Sequence, residues 1–165
     1  MAAAMTEHFT LAEIESHRLC EKHNFPVALN KIPTVKTPTG FISTLAEWTS
    51  ACQILEIARD RLSESITVSC GFRCPALNKL AGGEFNSQHQ GFRNTKDNLS
   101  ILTVQSVAFD LQTKDEAGLD RLYELLSHLP HDQLIMEDRA KGKDWIHWSW
   151  NPYHTNRSQK LHLNV

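Results

Sequence analysis

Long apolar runs are absent from this 165-residue chain. No stretch approaches the roughly 18 residues that a helix needs to cross a bilayer, which excludes membrane insertion by that route. The opening Met1-Ala2-Ala3-Ala4-Met5 lacks both the positive start and the apolar stretch of a secretory signal, so synthesis in the cytoplasm without a signal peptide is expected. Cysteine is sparse. Cys20, Cys52, Cys70 and Cys74 contain no C-x-x-C pair and read as buried free thiols, not as a disulfide framework. Charge of one sign is also missing: 17 Lys and Arg face 19 Asp and Glu, with no block of either. A duplex-binding protein normally carries a basic face, so no nucleic-acid partner is expected. No internal repeat or low-complexity tract appears, and 41% hydrophobic with 22% charged residues is ordinary globular usage. The length suits a single domain over residues 1–165. Finally, there is no H-E-x-x-H, so the common helical zinc-protease arrangement is excluded.

What the chain does have is nine histidines, and their value depends on where they fall. Thr10-Leu11-Ala12-Glu13 is a capping-box pattern that predicts a helix to about His23. Pro26, Pro33 and Pro38 mark a connector, after which Thr44 and Glu47 repeat the capping signal. Leu45, Trp48, Cys52, Leu55 and Leu62 then fall on one helical stripe and read as core. From Ile66 the period changes to two, and Ile66, Val68, Cys70 and Phe72 predict a half-buried strand. Pro75 suits the first turn of a short helix that Gly82-Gly83 ends. A strand is expected over Val104–Leu111 and a helix from Asp115 to Leu129. Shorter strands follow at Gln133–Glu137, Trp145–Trp150 and Lys160–Val165. Helices first, then strands with one more helix, give an α+β class: N-terminal helices packed on a small, mostly antiparallel sheet.

Three segments carry candidate chemistry. In Trp145-Ile146-His147-Trp148-Ser149-Trp150 both faces hold apolar groups, so the strand reads as central and His147 as rigidly held. Asp144 stands at its entrance, able to reach the same pocket. Ser87-Gln88-His89 follows the Gly82-Gly83 turn. Asp110 interrupts the apolar run Ser106-Val107-Ala108-Phe109, and a buried carboxylate requires a cation, a hydrogen-bonding network or a metal. Taken singly, each has a plainer reading: His147 as a satisfied core histidine, Asp110 as half of an ion pair with an arginine.

Read together, Gly71-Phe72-Arg73-Cys74-Pro75-Ala76-Leu77-Asn78, Gly82-Gly83 and Ser87-Gln88-His89 resemble the zinc peptidases of family M15, the peptidoglycan-cleaving D-Ala-D-Ala carboxypeptidase type with the Hedgehog/DD-peptidase fold. The family hallmark is S-x-H-x-x-G-x-A-x-D followed by (E/D)-x-x-H, which Asp144-Trp145-Ile146-His147 fits. His8–Glu13, Asp132–Glu137 and Asn156-Arg157 match the phage and bacterial branch. One departure stands out: His89 and Asp110 are twenty-one residues apart where the family has seven. An insertion of fourteen residues within Gln90–Gln105 accounts for it, with Ser106-Val107-Ala108-Phe109-Asp110 as the G-x-A-x-D half. Asp97 is the rival ligand, in a polar turn-like stretch.

The resemblance implies that His89, Asp110 and His147 hold one Zn²⁺ with water in the fourth position, and that Asp144 is the general base. It places Arg73 against the substrate, as an oxyanion stabiliser or a clamp on a terminal carboxylate, and gives Ser87 a hydrogen bond to substrate or the orienting of the neighbouring ligand. Glu137 is expected near the site in support of a histidine. The implied activity is hydrolysis of peptidoglycan stem peptides by a monomeric metallopeptidase, either carboxypeptidase or endopeptidase. Without a signal, such a product fits a phage endolysin acting on the cell wall. The alternative is a non-catalytic metal-binding module of the same fold, such as a phage structural component.

Overall fold

A computed structural model of the protein describes residues 4–34, 43–85, 87–91, 106–137, 144–153 and 155–163. Two short helices open the chain, α1 (Leu11–Glu15) and α2 (Arg18–Lys22), and the long α3 (Leu45–Leu62) follows them. Strand β1 (Thr67–Cys70), helix α4 (Pro75–Leu80) and a 3₁₀ turn at Gln88–Gln90 lead into β2 (Val107–Gln112). Helix α5 (Glu116–Ser127), then β3 (Gln133–Glu137), β4 (Trp145–Trp150) and β5 (Gln159–Leu163) complete the order. The five strands form one sheet in the order β1-β2-β4-β3-β5. Every pairing is antiparallel except the edge pair β3–β5. This is the expected α+β class.

The single helix expected from Thr10 to His23 is two helices. The capping box forms as predicted, with Glu13 Oε2 accepting from Thr10 N and Glu13 N donating to Thr10 Oγ1. The break at Ser16 and His17 comes from competition for the carbonyls that would continue the helix. Phe72 N donates to Ile14 O at 2.9 Å, and Asn30 Nδ2 donates to Glu15 O at 2.7 Å. His17 turns inward and donates Nε2–H to Phe72 O. The chain leaving β1 therefore takes over the end of α1. Gly71 allows this approach, because a Cβ there would stand 2.7 Å from Ile14 O.

Helix α3 starts on the expected Thr44–Glu47 capping box and buries Trp48, Cys52, Leu55 and Leu62. Its Trp48 ring meets Phe109 of β2 edge-on at 5.1 Å and Phe72 at 5.8 Å. Helix α5 begins at Glu116, capped by Asp115, and buries Leu119, Leu122 and Leu126. The helices α3 and α5 cover one face of the sheet, where Phe109, Leu111, Leu134, Met136, Ile146 and Trp148 are fully buried. Strand alternation sends Asp110 and His147 to the opposite face. One face is thus core and the other carries the chemistry.

The insertion expected within Gln90–Gln105 falls, from residue 92 to residue 105, outside the described residues, as does Asp97. Among the described residues, all four cysteines are free thiols, three of them buried, and no helix is long and apolar enough to cross a membrane.

Candidate metal centre

Register brings the first two candidates together. Asp110 of β2 pairs directly with His147 of β4 in the antiparallel ladder, so their side chains rise side by side from the same face. His89 comes from elsewhere. It sits in the 3₁₀ turn that packs on β2, anchored where Arg73 N donates to His89 O at 2.9 Å. Gly91 ends that turn with φ +68°, a left-handed value that favours glycine. Residues distant in sequence therefore meet over the centre of the sheet.

Three atoms converge. His89 Nε2 lies 3.1 Å from Asp110 Oδ1 and 3.2 Å from His147 Nδ1, and His147 Nδ1 lies 3.1 Å from Asp110 Oδ1. A triangle with these edges is one face of a tetrahedron whose centre stands about 2 Å from each corner, the distance at which zinc takes imidazole and carboxylate ligands. Two imidazoles and one carboxylate form a donor set suited to zinc, with a fourth position open. Access is one-sided: the His89 side chain is 2% exposed, whereas His147 and Asp110 are 12% and 19% exposed.

The protonation states suit a cation. His89 Nδ1 donates to Gly71 O at 2.8 Å, so in the neutral ring Nε2 is left with its lone pair facing the triangle. Burial, with help from the Arg73 guanidinium and His147, pulls the pKa of His89 down to about 4, and the ring is neutral near pH 7. Burial alone would push Asp110 up. Interaction with the protonated forms of the two histidines outweighs it and takes the carboxyl well below its usual range.

Cys70 is the buried free thiol that the sequence predicts, and it also belongs to this neighbourhood. It pairs with Asp110 across β1 and β2, and with His89 and Asp110 it forms a group close enough to share a metal ion. Its Sγ approaches His89 at Nδ1, 3.7 Å away, the nitrogen already committed to Gly71 O. Burial and the Asp110 charge push the thiol well above its ordinary range, so without a metal it stays an S–H.

The remaining candidates lie around the triangle. Arg73 donates from Nη2 to Ser87 Oγ at 3.1 Å, so Ser87 holds the arginine beside the His89 turn. Asp144 stands one residue before β4 and lines a hollow of about 200 Å³ with Gln112, Thr113, Lys114, Asp115, Glu116 and Leu119. None of the three converging residues lines that hollow. Glu137 pairs with Trp145, which alternation puts on the face of His147, two rungs along the ladder. Gln88 Oε1 lies 3.3 Å from His147 Nε2, a contact that sequence reasoning missed although Gln88 sits inside the quoted Ser87-Gln88-His89 segment.

Comparison with known proteins adds one finding. No curated protein matches the chain. A protein-family model described as Peptidase M15 matches residues 7–149, a span that holds α1 to α5, most of the sheet and all three converging side chains. With the α+β fold and the clustered donor set already in place, that match shows that the chain belongs to the peptidase M15 family.

Proposed function

We propose that the protein is a zinc-dependent peptidase acting on the peptide stems of bacterial peptidoglycan, with His89, Asp110 and His147 as its metal ligands. The observation that carries the reading is the convergence of His89 Nε2, Asp110 Oδ1 and His147 Nδ1 at 3.1–3.2 Å from one another. Zinc held there would lower the pKa of a bound water and polarise the scissile carbonyl. The residues of the chain supply the rest. Asp110 would offset part of that cation's charge, and the neutral His89 would offer it a lone pair. Arg73, held by Ser87, offers a guanidinium to the developing oxyanion or to a terminal carboxylate of the substrate. Asp144 is the carboxylate assigned to take the proton from the attacking water and pass it to the leaving amine. Glu137 is its competitor, because strand register gives it the face of His147. A phage endolysin is the biological setting that suits such a domain.

Digestion of purified peptidoglycan followed by mass analysis of the fragments tests the activity and names the bond. Wild type is expected to release new amino termini or free D-Ala. Asp144→Asn is expected to keep its zinc and lose turnover by about 10²–10⁴-fold. If Glu137→Gln abolishes turnover and Asp144→Asn does not, the base is Glu137. If zinc-loaded wild type cleaves no wall peptide, the alternative of a non-catalytic metal-binding module takes over.

A further inference from the structure

Asp132 and Arg157 lie outside the roles given above to His89, Asp110, His147, Asp144, Glu137, Arg73 and Ser87. They meet behind His147. Arg157 donates from Nε to Asp132 Oδ1 at 3.0 Å and from Nη2 to Asp132 Oδ2 at 2.6 Å, and its backbone N–H adds a bond to Oδ1 at 2.9 Å. The Asp132 side chain is 4% exposed, while that of Arg157 is 54% exposed. Asp132 is fixed in position as well, since its N–H donates to Ser149 O and its carbonyl accepts from Gln159 N. Onto this carboxylate Gln88 donates from Nε2 at 2.8 Å. The other end of the Gln88 amide, Oε1, faces His147 Nε2.

We infer that Gln88, anchored by the Asp132–Arg157 pair, is a positioning residue that fixes the tautomer of His147 and so presents Nδ1 as a bare lone pair to His89 and Asp110. This rests on the metal-ligand reading of His147 given above. An ionised carboxylate only accepts, so the Gln88 end that touches Asp132 must be the NH₂. Turning the amide over would set its oxygen against a carboxylate oxygen and its NH₂ against the imidazole. With Oε1 held towards His147, Nε2 must carry the hydrogen, and a neutral imidazole has one. The lone pair is then on Nδ1, which is the nitrogen in the triangle. The two histidines are oriented by different devices. His89 is set by a backbone carbonyl, Gly71 O, which no side-chain substitution removes. His147 is set by a side-chain relay reaching from a half-exposed arginine to the centre of the sheet. Such partners orient the ring of a ligand and raise its basicity.

The test uses the full chain, ¹⁵N-labelled and loaded with zinc, with zinc affinity read by chelator competition and histidine tautomers by long-range ¹H–¹⁵N spectra. Wild type is expected to show His147 with hydrogen on Nε2 and metal on Nδ1. Gln88→Leu is expected to weaken zinc binding by about 10–100-fold and to disturb the His147 signal, while the His89 Nδ1–H signal stays in place. Arg157→Ala should move both readouts in the same direction by a smaller amount, and Arg157→Lys should recover part of the loss. Gln88→Leu with zinc affinity within about twofold of wild type and an unchanged His147 signal overturns the inference. Arg157→Ala indistinguishable from wild type, beside a weakened Gln88→Leu, overturns the outer half of the relay. Wild type that binds zinc through His147 Nδ1 yet cleaves no wall peptide removes the peptidase reading and supports the relay. Wild type that binds no zinc overturns both.

Discussion

His89 is buried, neutral and hydrogen-bonded at Nδ1, whereas His147 keeps some exposure and depends on Gln88. The pair explains why a count of histidines is uninformative: what makes a ligand is the direction of a lone pair. The neighbour Cys70 sharpens this, since proximity alone would place it in the candidate metal site. Its thiol is kept protonated by burial and meets the side of His89 that faces Gly71. Metal analysis distinguishes the two sets. Wild type and Cys70→Ser are both expected to hold about one zinc per chain, and His147→Ala to lose it. The reverse outcome would transfer the site to Cys70, His89 and Asp110. The sequence singled out Asp110 because a carboxylate in an apolar strand needs a partner. It offered no comparable signal for Gln88, a neutral polar residue whose role depends on what stands on either side of it.

At the level of elements, the strands and capping boxes were legible and the first helix was not. Gln133–Glu137 and Trp145–Trp150 appear with the boundaries that the alternation predicts, and β4 is central, as its two apolar faces implied. The N-terminal helix breaks because Phe72 and Asn30, far along the chain, take the carbonyls of Ile14 and Glu15. No local propensity encodes that competition. Gly71 is the point where it is most easily disturbed. Gly71→Ala would press a methyl group against Ile14 O and Ile14 Cγ2, at 2.7 and 2.8 Å. The expected cost is about 1–3 kcal/mol in urea unfolding. Since Gly71 O also holds His89, weaker zinc binding should accompany the loss. An unchanged midpoint would mean that α1 and β1 yield without strain.

For the molecule as a whole, the sheet separates duties: one face is sealed by α3 and α5, and the other leaves Asp110 and His147 half-buried beneath the turn that carries His89. Holding a neutral histidine in that position makes stability depend on pH. His89 titrates near 4 in the folded chain against an ordinary 6.5, so between those values the unfolded chain binds the extra proton. Stability of the metal-free protein should therefore fall as pH drops from about 6.5 to 4, by on the order of 3 kcal/mol from this group. Asp132 acts at lower pH. Burial would raise its pKa, but Arg157 lowers it below the ordinary 3.8, so its contribution is present above that value and is lost as pH falls through the depressed one. Urea midpoints measured with chelator at pH 7, 5.5 and 4.5 check the first limb, and a flat series would contradict a neutral buried His89. Saturating zinc should raise stability at pH 7 and make the acid limb steeper, because protons compete for the same nitrogens.

By itself the sequence determined the α+β class, the strand phases, the candidate ligands His89, Asp110 and His147 and the likeness to M15 peptidases, since each is written in local periodicity or in short motifs. The tertiary structure alone decided that atoms twenty-one and fifty-eight residues apart meet at 3.1 and 3.2 Å, which nitrogen of His89 faces inward, and that Asp132 and Arg157 stand behind His147 through Gln88. The reason is physical: periodicity sets which face a side chain takes, whereas the meeting of lone pairs is set by strand register and by hydrogen bonds between segments that no local pattern connects.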